Sequence, residues 1–488
     1  MPELIPIDIL AHADYAGRLK KTKSCPGMAA FGTLIDSIRD ENPEGTLLLD
    51  AGDEFCVNHW GGKPVVKALE LLKTDAMTLG NHEFDWGRDF LEDCIAQANY
   101  PILCANIVER ETGALVRGAK PWVMLEKRGV KIGVLGLTTE YTPYMVTASA
   151  FAPYEARSAL EAAAKYLLEM RKEGAQITIV LSHFPFYIDE EGNISGELYD
   201  ALSNMPPVDA FIGGHIPGDY ADVVLNAAVL KGGFAGASLP HARLWFDPQA
   251  NRVVRRECRV HLTRRDAPVN EAYRAYADEV CAPFAAYFDE VLGHATQEWE
   301  LHLAHETKLG NFLADCMLHA AHAQVAYMNA TTAGGKIVPG PVTREDVLAV
   351  TSFNDPIYTT RMSGKQLWDL FELIYVPERF GNNAGLLFSG LIVHVDHTKP
   401  AFHKIQKITL RDGTPLDMEK SYAVVSSEYM SSGGNDTAAI ANQVKWKKQD
   451  ILFPDAIYAY IKKHGTLVVS PEQRLHETGE PENNNAPF

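Results

Sequence analysis

No stretch of this 488-residue chain is long and apolar enough to span a bilayer, which takes about 20 consecutive apolar residues. Basic residues are not in excess: 45 Lys and Arg stand against 63 Asp and Glu, a formal net charge of -18. That balance opposes nucleic acid or anionic membrane held through a general basic field. It leaves room for a small anion beside a metal ion, where the local charge is reversed. The seven cysteines (Cys25, Cys56, Cys94, Cys104, Cys258, Cys281 and Cys316) are odd in number, scattered, and include no Cys-x-x-Cys pair. They read as reduced, mostly buried thiols. Met1-Pro2-Glu3-Leu4 lacks the basic start of a secretory leader. The expectation is a cytoplasmic monomer or homodimer with no nucleic-acid or membrane partner; a mature secreted form is the alternative. Repeats and low-complexity tracts are missing up to the tail 480–488, which is expected to fray.

What is present is an ordinary soluble composition, 46% hydrophobic and 22% charged, with length for roughly two to four domains. The stretch Thr78-Leu79-Gly80-Asn81-His82-Glu83-Phe84-Asp85 concentrates the chemistry. Asn81 offers a neutral oxygen ligand, His82 a proton or a hydrogen bond to a developing oxyanion, and Asp85 a carboxylate to orient that imidazole. A polar turn closed by Gly80 is the plainer reading.

Around it, apolar runs recur at 5–12, 46–50, 76–77, 100–106, 132–137, 177–183 and 208–213, with an amphipathic helix over 156–170. Continuous apolar strands predict a sheet covered on both faces, an α/β fold. Asp14, Asp53, Asn81, His183 and His215 each fall at or just past the end of such a run. Ligands on separate strand ends converge at one sheet edge. Asp, Asn and His together suit divalent Mn, Zn or Fe. Two such ions about 3.5–4 Å apart clamp an in-line displacement at phosphorus.

The segments Leu48-Leu49-Asp50-Ala51-Gly52-Asp53, 75–85, Leu181-Ser182-His183 and Ile212-Gly213-Gly214-His215 resemble the calcineurin-like metallophosphoesterase domain of the 5'-nucleotidase family. The resemblance implies a four-layer αββα catalytic domain with two divalent metals. It implies that Asp53 bridges them, that Asn81, His183 and His215 complete one shell, and that His82 with Asp85 is the catalytic dyad. Two departures fall on the other metal. The family's Asp-x-His-Gly-Arg reads Asp14-Tyr15-Ala16-Gly17-Arg18, and its Gly-His-x-His reads Gly214-His215-Ile216-Pro217. One site is therefore expected to be well formed and the other degenerate. His12 precedes Asp14 by two residues on an extended segment, roughly 7 Å away on the same side, and could replace the missing imidazole; packing within the strand is the competing reading. His59 is a weaker substitute.

The resemblance continues through a basic β-like segment closing the first domain (1–265) and a connecting helix (266–292) into a smaller α/β substrate domain (293–488). There Leu309-Gly310-Asn311-Phe312, Pro341-Val342-Thr343-Arg344-Glu345-Asp346 and Ser431-Ser432-Gly433-Gly434-Asn435-Asp436 match. The substrate-reading residues match less well. Counted from Asn329, the family's nucleotide-binding arginine falls on Gly334, with Lys336 the nearest cation, and its base-stacking aromatic falls on Thr437. Lysine does not replace a bidentate arginine. Arg379-Phe380 offers another cation and aromatic; Phe388 reads as core. The expectation is a phosphoric mono- or diester hydrolase of small, nucleotide-like phosphate esters, acting by attack of metal-bound hydroxide with the His82–Asp85 dyad. The alternatives are a catalytically impaired relative that binds a ligand or regulates, and a hydrolase of a sulfur-containing ester.

Overall fold

The computed structural model describes residues 3–23, 25–55, 62–189, 191–216, 218–302, 305–351, 354–376, 385–469 and 473–479. The chain divides into two compact units between Pro283 and Phe284.

In the first unit the apolar runs pair into two six-stranded sheets. In one, Ile5–His12, Thr46–Asp50, Ala76–Thr78 and Ile102–Leu103 lie side by side and parallel; Ser238–Asp247 and Arg252–Leu262 extend its edge antiparallel. In the other, Val130–Thr138, Ile177–His183, Ala210–Gly213 and Ala227–Lys231 run parallel, with Trp122–Lys127 and Tyr220–Val224 antiparallel at the edges.

Successive side chains of a strand face opposite sides, and the apolar runs use both. Ile7, Ile9, Leu47 and Leu49 meet Ile177, Ile179, Leu181, Ala210 and Ile212 in a core between the sheets. Leu10 and Leu48 face the other way, onto Phe31 and Ile35 of helix Gly27–Arg39 and Val65 and Leu69 of helix Gly62–Leu71. Val180 and Phe211 pack on Ala163 and Leu167 of helix Ala159–Lys172. The layers are helix, sheet, sheet, helix. The stretch 266–292 is not one helix. Glu271–Cys281 packs Tyr273 and Ala277 into the first helical layer, then a 3-10 turn over Ala282–Phe284 and the short helix Ala285–Phe288 follow. Pro283 lacks the amide proton that a continuous helix needs.

The second unit carries a mixed five-stranded sheet ordered Leu386–Ser389, Val325–Asn329, Ser421–Ser427, Pro356–Ser363 and Lys447–Leu452. Helices Lys308–Ala320, Gly364–Ile374 and Phe453–His464 belong to it, as does a three-stranded sheet built on Leu391–Asp396. Its most buried charge is Arg474, held by both carboxylate oxygens of Asp315 at 2.8 Å.

Candidate metal centre

Parallel strands bring their C-terminal ends to one edge. Asp14, Asp53, Asn81 and His215 follow two or three residues after strands ending at His12, Asp50, Thr78 and Gly213, and His183 closes its own strand. The turns that present them are tight. Asp14, Asp53 and His215 hold left-handed backbone, with φ of 55°, 62° and 72°, a conformation that costs a non-glycine residue on the order of 1–3 kcal/mol. Gly52 and Gly80 make room for Asp53. A Cβ on Gly52 would meet the Gly80 amide nitrogen at 2.4 Å, and one on Gly80 would meet Asp53 Oδ1 at 2.1 Å.

Asp53, His183 and His215 each bring a ligand atom within 4.8 Å of the others. His183 Nε2 lies 3.0 Å from Asp53 Oδ2, and its Nδ1 lies 2.6 Å from the Ala51 carbonyl. His215 Nδ1 lies 2.8 Å from Asn81 Oδ1, while the Asn81 amide nitrogen is buried without a hydrogen-bond partner. Asp14 joins through its Oδ2, which accepts the His215 backbone N–H at 3.0 Å. The His82 backbone N–H donates to Asp53 Oδ1 at 2.9 Å, and its Nδ1 lies 2.8 Å from Asp85 Oδ2. Two imidazoles, a carboxylate and a carboxamide drawn together out of water are a donor set that fits a borderline divalent cation.

The charges are arranged unevenly. Burial opposes ionisation of His183, yet Asp53 and Asp14 raise its pKa to about 10. His82 is likewise lowered by burial, but Asp85 and Asp53 lift it to about 9. Burial and the neighbouring His183 push His215 down to about 3. Asp14 is raised to about 6 by burial, although His183 pulls it down; Asp53 adds to the rise. For Asp53 itself burial is outweighed by His183 and His82, and its carboxyl lies well below the usual range.

His12 lies apart from this group. Its nitrogens face Asp50 Oδ2 at 3.9 Å and Glu54 Oε1 at 3.4 Å, and its ring meets Phe31 edge-on. His12, Asp50 and Glu54 form a second set of ligand atoms within 4.8 Å of one another, all buried. Burial lowers the His12 pKa and raises those of Asp50 and Glu54. Pro217 and His59 lie outside the described residues.

Among the described residues, the substrate-side expectations in the second unit are each engaged with other side chains or backbone. Asn329 turns on its own neighbours, its amide N–H donating to Thr331 Oγ1 at 2.6 Å and its oxygen accepting from Thr332. Lys336 forms an exposed ion pair with Glu298 at 3.2 Å. Thr437 is buried, its hydroxyl donating to the Gly434 carbonyl at 2.7 Å. Phe388 is core, packed edge-on against Phe371. Arg379 and Phe380 lie outside the described residues.

One residue with a decisive position has no role in the reading of the sequence. Glu83 accepts four backbone N–H groups: Asp53 at 2.8 Å and Gly80 at 2.6 Å through Oε2, and Glu54 at 2.7 Å and Phe55 at 3.0 Å through Oε1. It ties the Asp53 turn to the Asn81–Asp85 loop. Three of its donors lie 28–30 residues away, so only its place within the quoted motif marked it.

The fold and the clustered ligands define a calcineurin-like metallophosphoesterase domain. Residues 24–219 match the calcineurin-like phosphoesterase family, and residues 291–442 match the 5'-nucleotidase C-terminal domain. The chain belongs to the 5'-nucleotidase family of metal-dependent phosphoester hydrolases. It is 25% identical to a 5'-nucleotidase of Vibrio cholerae, over 95% of this chain and 91% of that one. A 5'-nucleotidase precursor of Thermus thermophilus superposes with a TM-score of 0.84 at 23% identity, covering 98% of this chain and 100% of that one. The sulfate thiohydrolase SoxB of the same organism superposes with 0.80 at 17% identity, covering 98% of each. Among the described residues no helix is long and apolar enough to cross a membrane.

Proposed function

We propose that this chain hydrolyses small, nucleotide-like phosphate esters at the Asp53–His183–His215 centre, with His82 and Asp85 as its catalytic dyad. The observation that carries the reading is the double tether of His82. Its backbone N–H is fixed to Asp53 and its Nδ1 to Asp85, which makes Nε2 the nitrogen that serves a substrate oxygen. A bound divalent cation supplies the Lewis acid for the phosphoryl group and lowers the pKa of a water. Asp53, His183, His215 and Asn81 hold that cation, for which Mn, Zn and Fe are the suited ions. Burial opposes the charged ring of His82, but Asp85 beside Nδ1 favours it. His82 donates a hydrogen bond to the charge developing on phosphorus, or the proton itself to the leaving oxygen. Asp85 fixes the ring and its tautomer.

Asp14 and Asp53 alone remain for the family's other metal position, since Ala16 and Pro217 stand where histidines are expected. One firmly held ion and one weak site follow. Gly334 and Thr437 take the places of the arginine and aromatic that grip a nucleotide, so a substrate with a smaller or differently held leaving group fits better than a standard nucleoside monophosphate. The losses at Ala16 and Pro217 favour the second reading, a relative that binds its ligand without turnover.

Mn-loaded protein assayed on phosphomonoesters, phosphodiesters and a sulfate ester separates the two. Turnover of at least one phosphate ester is expected, falling by about 10²–10⁴ in kcat for His82→Ala. No turnover above that variant on any substrate would leave only the binding reading.

A further inference from the structure

The turn Asp50–Glu54 serves two clusters at once. Asp53 faces His183 and the centre described above, whereas Asp50 and Glu54, at the two ends of the turn, meet His12. His12 and Asp50 are register partners on neighbouring parallel strands, so their side chains share the face that packs on helix Gly27–Arg39. All three are buried, with no more than 1% of any side chain exposed. The lid over them is aromatic: Phe31 lies edge-on to His12, and Tyr15 stacks on Phe31.

The polar atoms in this pocket are largely unmet. Gly52 N–H donates to Asp50 Oδ1 and Tyr15 N–H to Glu54 Oε1. Asp50 Oδ2, Glu54 Oε2 and both ring nitrogens of His12 have no hydrogen-bond partner. Buried polar atoms are otherwise paired in folded proteins, and buried charge needs a partner or a metal. A protonated carboxyl bridging Asp50 and Glu54 would satisfy one oxygen pair and leave both His12 nitrogens unmet. An imidazolium would draw its carboxylates to about 2.8 Å; they stand at 3.9 and 3.4 Å. Two donors each about 2.1 Å from one tetrahedral ion lie roughly 3.4 Å apart, the separation of His12 Nδ1 and Glu54 Oε1.

We infer that His12, Asp50 and Glu54 bind a divalent cation of the zinc class, at a structural site separate from the Asp53–His183–His215 centre. One ring nitrogen of His12 ligates, and the other is held by the remaining carboxylate oxygen, which sets its tautomer. The site's role is positional. His12 O accepts the Ala51 N–H at 2.7 Å, the Ala51 carbonyl meets His183 Nδ1, and Asp53 sits between the two carboxylate ligands in sequence. An ion that pins both ends of this turn fixes the carbonyl and the carboxylate that orient His183.

Crystals of the full chain grown with zinc and measured at the zinc absorption edge test this directly. An anomalous peak enclosed by His12, Asp50 and Glu54 is expected, apart from any peak at Asp53, His183 and His215. A peak at the trio alone would support this inference while removing the metal from the proposed catalytic centre. A peak at the catalytic centre alone, or none at all, would overturn the inference. In solution, elemental analysis of zinc-loaded protein should show one zinc per chain lost in Glu54→Gln and in His12→Phe, with the zinc lost in His183→Ala being a different one. The double variant Glu54→Gln/His183→Ala should therefore lose both. Unchanged zinc content in a folded Glu54→Gln protein would equally sink the site, and Asp50→Asn supplies the same reading should His12→Phe not fold.

Discussion

The two units treat their expected site positions in opposite ways. In the first, residues as far apart in sequence as Asp14 and His215 are joined by a hydrogen bond, and five strand ends deliver side chains to one place. In the second, Asn329 and Thr437 bond Thr331, Thr332 and Gly434 close by in sequence, and Lys336 pairs with Glu298. The difference lies in what fixes each position. Candidate ligands at strand ends are placed by sheet topology, which the core enforces. In the second unit Asn329 also ends a strand, but Lys336 belongs to a strand of two residues and Thr437 to a turn. On the proposed reading, the candidate metal centre is held by the sheets of the first unit, and the residues expected to read the substrate are less constrained.

The sharpest way to break that contrast is to loosen the first unit at Glu83. Its two oxygens each hold two backbone N–H groups, clamping the Asp53 turn to the His82 loop. Glu83→Gln replaces one oxygen with an amide nitrogen and strands two donors, at about 1–3 kcal/mol each. Urea denaturation should show a loss of several kcal/mol, with activity falling in the folded fraction as well. A variant as stable as the parent would mean that other contacts hold the turn and that Glu83 is not what ties it to the His82 loop.

A smaller effect is expected at Asp8, midway along the strand that leads to His12. Burial pushes its carboxyl up, but His241, Arg243 and Asn42 outweigh this and lower the pKa to about 2. The folded value lies below the unfolded one of 3.8. The stabilisation is thus complete above pH 3.8 and disappears as pH falls toward 2. At neutral pH it amounts to about 2 kcal/mol. Asp8→Asn should lose that amount at pH 6, and the gap between variant and parent should close on acidification in denaturation curves. A gap independent of pH would assign the loss to packing.

Much of this was legible in the sequence, for definite reasons. Leu47, Leu48 and Leu49 read as a strand apolar on both faces, and they do divide between the two cores on either side of the first sheet. His12 was not legible. An extended segment would put it on the same side as Asp14, but the strand ends at His12, and Asp14 takes a φ of 55°, where two-residue alternation no longer holds. Its partners Asp50 and Glu54 were hidden by their proximity to Asp53, whose match to a known motif drew the reading of that turn. In the second unit, spacing alone located Gly334 and Thr437 as substitutions without saying what replaces their function.

Lys336 gives the finest test, because it is the nearest cation to the position vacated at Gly334. Its amine pairs with Glu298 while both side chains are nearly half exposed. Such a pair contributes about 0–1 kcal/mol and weakens with salt. If the second unit's expected residues are occupied locally, Lys336→Ala should change stability by less than about 1 kcal/mol and KM for the best phosphate ester by less than about twofold. A rise in KM of about tenfold with kcat unchanged would instead report uniform binding lost on removing the cation. Lys336 would then grip the substrate in exchange for Glu298, and the Glu298→Gln variant would separate the two uses: freed from its partner, a substrate-binding lysine should lower KM, whereas a lysine engaged only with Glu298 should leave it unchanged.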